Sequence, residues 1–395
     1  MKLEDDILRP ARELYPMQVA FRRHIHQNPE LAFEEYETTK YIKAQLRCHK
    51  IKLQPLDLKT GVVAVINPHF KRAIAIRSEL DALPIAERTD LPFQSKRPGI
   101  MHACGHDLHM AVVLGTMILL NRLKKQLPCA VKCIFQPAEE KPPGGASKLI
   151  RAGVLRNPRV EMIFALHVDP NVATGRIGLR DEATMASVLD FNIVIHGKGG
   201  HAARPHAAVD GIAVAAEVIE SLQKIVSREI DPLNPALITI GTIEGGTARN
   251  IIADQVVLSG TARTLSGANA KKIPQLLKRT LDGICRARGA RYTFDILARY
   301  PVLVNHKSAN KILRECYCEL FGKNKVEKTP QTMGGEDFSY YIASIPGAMF
   351  RLGVRNTGIG ADKSWHTPDF MVDEEAIFYG TSLLSLAVLK CGEKF

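Results

Sequence analysis

The chain has 395 residues, beyond the roughly 250–300 at which a single core stops growing, so two domains are expected. Hydrophobic residues make up 46% and charged residues 24%, a balance that excludes disordered, collagen-like and coiled-coil chains. The net charge of +12 invites a nucleic-acid partner, but no nucleic-acid-binding motif accompanies it. The basic residues are scattered, and pairs such as Lys124-Lys125 and Lys271-Lys272 read as solvated helix faces; the same charge would attract small carboxylates. Eight cysteines show no disulfide spacing, Met1–Asp6 lacks an apolar leader, and no run approaches ~18 apolar residues. The expectation is a cytoplasmic protein with reduced thiols and neither a membrane nor a nucleic-acid partner.

In chain order, Pro16–Gln27 predicts a helix with its proline in the first turn, and Glu34–Cys48 a second. Gly61–Pro68 and Arg72–Ile76 read as short strands, Leu108–Lys125 as a strongly apolar helix, and Ala130–Phe135 and Met162–Leu166 as buried strands. Strands alternating with helices predict an α/β sheet covered on both faces. From about Thr184 the pattern changes: strand Val188–His196, helix Val209–Val226, strands Ala236–Glu244 and Gln255–Thr264, helix Ala268–Arg288, strand Arg291–Leu297. That β-α-β-β-α-β order is ferredoxin-like, so residues 184–297 are expected to be inserted in a larger domain made of 1–183 and 298–395.

Polar residues concentrate just after predicted strands, where open α/β sheets bind ligands. Arg72–Ile76 runs into Glu79 and Asp81, Ala130–Phe135 into Gln136-Pro137-Ala138-Glu139-Glu140, and Met162–Leu166 into His167 and Asp169. His102-Ala103-Cys104-Gly105-His106-Asp107 precedes the long helix. Gly105 would let Cys104 and His106 face one point, and the helix N-terminus would favour a Cys104 thiolate. Thiolate, imidazole and carboxylate together suit zinc or a neighbouring first-row metal; the alternative is a nucleophilic cysteine with a histidine base. In Glu139-Glu140 one carboxylate can bind metal while the other moves a proton, and adjacency leaves open which does which.

His-Ala-Cys-Gly-His-Asp, Gln-Pro-Ala-Glu-Glu, Ala-Leu-His-Val-Asp-Pro and Trp365-His366-Thr367-Pro368-Asp369-Phe370 resemble the motifs of the aminoacylase, hippurate hydrolase and auxin-conjugate hydrolase family of dinuclear metallo-amidohydrolases. The likeness spans almost the full chain. It takes in Arg22-Arg23-His24-Ile25-His26 with Pro29-Glu30-Leu31, Gly197–His206 in the predicted insert, and Gly334-Gly335-Glu336-Asp337-Phe338. The resemblance implies a metallopeptidase-like catalytic domain with a mixed sheet, and an inserted lid and dimerisation domain. It implies hydrolysis of N-acyl amino acids by two divalent ions per subunit, zinc or manganese, in a homodimer or larger homo-oligomer. Cys104, His106, Glu140, His167 and His366 are the implied ligands, Glu139 the general base and acid, and Asp81 an orienting carboxylate. His201 would reach the partner's reacting carbonyl and donate to its oxyanion; Asn250 would hold substrate.

Gly334 and Gly335, read as preceding a short helix, would offer backbone N–H groups to a substrate carboxylate. Two departures from the family pattern stand out. Glu79 replaces a shorter aspartate and is expected to shift its loop, and Lys141-Pro142-Pro143 replaces glycines after the glutamate pair. A specialised N-acetyldiaminopimelate deacetylase, a dipeptidase, or an inactive hydrolase-fold binding protein are the competing readings.

Overall fold

A computed structural model describes residues 2–393, in which the chain divides into two compact units. Of the described residues, the first comprises 2–182, 304–330 and 340–393, and the second 183–303 and 331–339.

In the first unit the strands are β1 (Lys52–Gln54), β2 (Val62–Ile66), β3 (Arg72–Glu79), β4 (Ala130–Gln136), β5 (Arg159–Ala173), β6 (Ile177–Leu179), β7 (Val326–Lys328) and β8 (Gly347–Arg355). They form one mixed sheet in the order β1-β2-β4-β3-β5-β8-β6-β7. The central run β4-β3-β5-β8 is parallel, while β1, β2 and β6 pair antiparallel. Every residue of β2 and β4 is buried, as strands of a sheet covered on both faces require.

The covering helices include α1 (Arg9–Gln27), α2 (Tyr36–Cys48), α3 (His106–Arg122), α4 (Lys307–Phe321) and α5 (Ala376–Gly392). α3 is buried continuously from His106 to Leu120, and α5 nearly so, because both are apolar all round rather than along one stripe. Gln18 of α1 reaches between them, its Nε2 donating to the Ala111 carbonyl (2.9 Å) and the Thr381 hydroxyl (2.7 Å). Gly115 admits that side chain, since a Cβ there would lie 2.0 Å from Gln18 Nε2.

Several elements extend beyond the sequence reading. α1 begins at Arg9, with a proline in its first turn, so Pro16 lies inside the helix. β5 continues through His167 to Ala173 because β8 pairs with it beyond Leu166. Glu79 is the last residue of β3 rather than part of a loop.

The second unit is a four-stranded antiparallel sheet in the order Ala236–Gly245, Gln255–Thr264, Ser187–His196, Arg291–Tyr300. Its connecting helices, Gly211–Glu229 and Gly267–Arg288, share one core with Phe191, Ile193, Val256 and Leu258. This is the β-α-β-β-α-β arrangement with ferredoxin-like strand order. The reading that gave all of 298–395 to the first unit is corrected at two places. The last strand runs to Tyr300, and residues 331–339 return to this unit, with Thr332 N–H donating to the Thr184 carbonyl (3.1 Å) and Ala186 N–H to the Gly334 carbonyl (3.0 Å).

All eight cysteines are free. Among the described residues no helix is long and apolar enough to cross a membrane.

Candidate metal centre

The polar motifs of the first unit meet where β3 and β4 end and α3 begins. Gly105 caps α3 in the left-handed region (φ +83°), and a Cβ there would also sit 2.5 Å from Val168 Cγ2. Glycine is therefore required twice, by backbone conformation and by space. The turn sets Cys104 before the helix and His106 at its first position. Ligand atoms of Cys104, His106 and His167 lie within 4.8 Å of one another, as do those of Cys104, Glu140 and His366, and those of His106, Glu139 and Glu140. Cys104, His106 and Glu140 each belong to two of these groups, so the three sets form one connected cluster.

The histidine tautomers are set by their other nitrogens. His106 Nδ1 donates to the Asp81 carbonyl (2.8 Å), leaving Nε2 facing Glu140 Oε1 at 4.0 Å. His167 Nδ1 donates to the Val168 carbonyl (2.8 Å), leaving Nε2 3.5 Å from Cys104 Sγ. His366, held by its own N–H to the Ala103 carbonyl (2.9 Å), adopts φ +61° and puts Nε2 3.3 Å from Glu140 Oε1. His106 Nε2 and Glu140 Oε1 are buried without a hydrogen-bond partner among the described residues. Buried polar atoms are rarely left so, and a divalent cation would satisfy both, so the donor set fits a metal centre.

The Asp81 carboxylate reaches the loop that carries the glutamate pair. Its Oδ1 accepts from Glu139 N–H (3.0 Å) and its Oδ2 from Glu140 N–H (2.8 Å), so one buried carboxylate grips the backbone of the glutamate pair. Burial opposes ionisation of Asp81, but the His106 contact and these two amides hold its carboxyl below the usual range.

Burial pulls the His106 imidazole down, yet Asp81, Glu79 and Glu140 outweigh it and raise His106 to about 10. His167 is pushed well down by burial, with the Arg351 charge adding to it. The Cys104 expectation is corrected: burial first, then Glu140 and Glu139, push its thiol well up. Against burial among carboxylates, a thiolate there calls for a cation.

Glu79, His106 and His109 also converge within 4.8 Å, but His109 has no lone pair left. Its Nδ1 donates to Glu79 Oε2 (2.7 Å) and its Nε2 accepts from Val168 N–H (2.9 Å). The Val168 carbonyl takes the Trp365 indole N–H (3.1 Å) as well as His167. Glu79 therefore braces the peptide beside His167 through His109, while its other oxygen pairs with buried Arg77. Sequence reasoning missed His109, although its place three residues after His106 on one helix face was a legible signal. It also missed the brace under α3: Asp107 accepts from Arg22 Nε (2.9 Å) and His26 Nδ1 (2.8 Å), and His26 Nε2 donates to Glu87 (3.0 Å).

The second unit holds the remaining candidates. His201 lies on a two-residue strand paired with Ile251–Ile252, and Ala202 N–H donates to the Asn250 carbonyl (3.0 Å), which brings His201 and Asn250 together on an exposed turn. Gly334 is corrected. Its N–H already donates to Thr332 Oγ1 (3.1 Å), and the helix that follows is a single turn starting at Ser339. Gly335 packs where a Cβ would lie 2.2 Å from Val188 Cγ2.

A cysteine, histidines and carboxylates gathered at the ends of parallel strands, with a second carboxylate alongside, define a hydrolase with a candidate metal centre. The chain belongs to peptidase family M20/M25/M40, which residues 75–390 match. It is 41% identical over 361 residues to the N-acetylcysteine deacetylase of Bacillus subtilis, covering 91% of this chain and 92% of that one. It is 39% identical over 384 residues to IAA-amino acid hydrolase ILR1-like 4 of Arabidopsis thaliana, covering 95% and 86%. Among solved structures, a Bacillus subtilis protein described as a dinuclear metal binding peptidase superposes with a TM-score of 0.84 at 35% identity, covering 97% of this chain and 99% of that one.

Proposed function

We propose that this protein hydrolyses the amide bond of N-acyl amino acids, releasing a carboxylic acid and a free amino acid. The observation that carries this reading is the convergence of Cys104, His106, Glu140, His167 and His366, of whose ligand atoms His106 Nε2 and Glu140 Oε1 are buried without a hydrogen bond among the described residues, with Glu139 beside them. The names of two relatives, an N-acetylcysteine deacetylase and an IAA-amino acid hydrolase, support the substrate class.

Those five side chains would hold two divalent ions, zinc or manganese, a choice consistent with one thiolate, three imidazoles and a carboxylate. Bound there, the ions would polarise the acyl carbonyl and acidify water. Glu139 takes the proton from the attacking water and passes it to the leaving amine, while Asp81 keeps Glu139 and Glu140 in register by holding both amides.

His201 would serve as oxyanion donor from a second copy of the chain. Its Nδ1 accepts from Ala203 N–H (3.1 Å), so Nε2 carries the proton and is the donor. Asn250 on the same turn would hold the substrate. Gly335 N–H remains the candidate of its pair for the substrate carboxylate. The second unit is read as the lid and dimerisation domain of a cytoplasmic homodimer or larger homo-oligomer. Metal-reconstituted hydrolysis of N-acetyl, N-benzoyl and indole-acyl amino acids, with dipeptides for comparison, tests the reading; no turnover of any of them would contradict it.

A further inference from the structure

The loop carrying the glutamate pair is held in a costly shape. Ala138, immediately before Glu139, adopts φ +53°, a left-handed conformation unfavourable for a residue with a Cβ. Its carbonyl accepts from Gly145 N–H (3.0 Å), closing the loop on itself. Its N–H donates across 103 residues to Glu35 Oε1 (2.8 Å).

Glu35 occupies the N-cap position of α2 but makes no side-chain cap bond to that helix. Capping falls instead to Glu30, whose Oε2 accepts from Thr38 N–H at 2.8 Å. Glu35 is fully buried and turns away, with Oε1 also accepting from Phe33 N–H (3.0 Å); Phe33 is itself left-handed at φ +68°. Burial and the neighbouring Asp81 charge push Glu35 up to about 7. A buried acid that its own helix does not use costs stability, so its place calls for another reason.

That reason lies in the run of amides. Ala138 N–H goes to Glu35, Glu139 N–H to Asp81 Oδ1 and Glu140 N–H to Asp81 Oδ2. Three consecutive backbone donors are thus taken by two buried carboxylates. We propose that Glu35 is a positioning residue for the metal centre: with Asp81 it clamps the left-handed turn that presents Glu139 and Glu140. This inference rests on the reading of Glu139 as base and Glu140 as ligand. It requires the reach of a glutamate and an acceptor oxygen, not the charge.

Two variants separate reach from charge. Glu35→Asp keeps the charge but is one methylene short of Ala138, whereas Glu35→Gln keeps an acceptor at full length. For manganese-reconstituted protein, kcat, KM and the rate at which a chelator removes metal would be measured beside thermal melting, with Glu30→Gln as a control that weakens α2 without touching the loop. Glu35→Asp is expected to lower kcat and speed metal loss by about tenfold or more, with KM little changed. Glu35→Gln should stay within about threefold of wild type on both readouts, and Glu30→Gln should lower the melting temperature alone. Wild-type kinetics and metal retention for Glu35→Asp would overturn the proposal, as would equal losses in both Glu35 variants or in Glu30→Gln. If Glu35→Asp fails to fold, the Gln variant decides: retention supports the clamp and loss overturns it. Wild-type protein that neither binds metal nor turns over would instead count against the functional reading.

Discussion

At the scale of single residues, the candidate centre is a set of ligand atoms whose protonation states must change for a metal to bind. In the free protein His106 is raised to about 10 and Cys104 well above its usual value, so both carry protons at neutral pH. Binding needs a neutral imidazole and a thiolate, hence metal uptake should release about two protons. Affinity should fall as the pH is lowered and rise as it is raised towards 10. Titration calorimetry in buffers of different ionisation enthalpy measures the count, and zero release would contradict the assigned ligands. Asp81→Asn keeps one acceptor for the glutamate-pair amides but sets an NH2 group against the other. Metal affinity and kcat should drop by roughly ten- to a hundredfold, read by chelator competition and steady-state kinetics.

At the scale of elements, the turn into α3 is the most constrained piece of backbone at the site. Gly105→Ala adds a Cβ both to a left-handed residue and 2.5 Å from Val168 Cγ2. A loss of about 1–3 kcal/mol in stability is expected from the backbone alone, measurable by denaturant unfolding, together with weaker metal retention as His106 moves. The sequence made such elements legible wherever pattern and motif coincide. The strands of the second unit, helix α3 and the contiguous clusters around Cys104 and Glu139 could all be read from periodicity and strand-end placement. Other features were not readable in this way. β5 runs past His167 because β8 supplies a partner there, and Pro16 lies inside a helix whose start lies upstream. His366 was reached only through family resemblance, since nothing local distinguishes it from a structural histidine. Glu35 was not singled out at all: its contact with Ala138 spans 103 residues and exists only once α2 packs beside the loop.

At the scale of the molecule, the second unit presents two outermost strands, Ala236–Gly245 and Arg291–Tyr300, with Ile243, Ile296 and Leu297 exposed. Exposed, apolar sheet edges are templates for pairing with another chain. If this unit joins two copies, light scattering should report twice the chain mass of 43.6 kDa, and Ile243→Lys should shift the protein towards monomer. Because His201 is read as acting in the second copy, that shift should lower kcat along with the mass; an active monomer would contradict the shared site.

The measurement that bears most directly on the whole account is hydrolysis of the N-acyl amino acid panel by metal-reconstituted wild type beside Glu139→Gln, with metal content determined for both. The account predicts turnover by wild type and a loss of about 10²–10⁴-fold in the variant, with the same metal stoichiometry in each. Wild type that holds no metal and cleaves no substrate, or a Glu139→Gln variant as active as wild type, would contradict it.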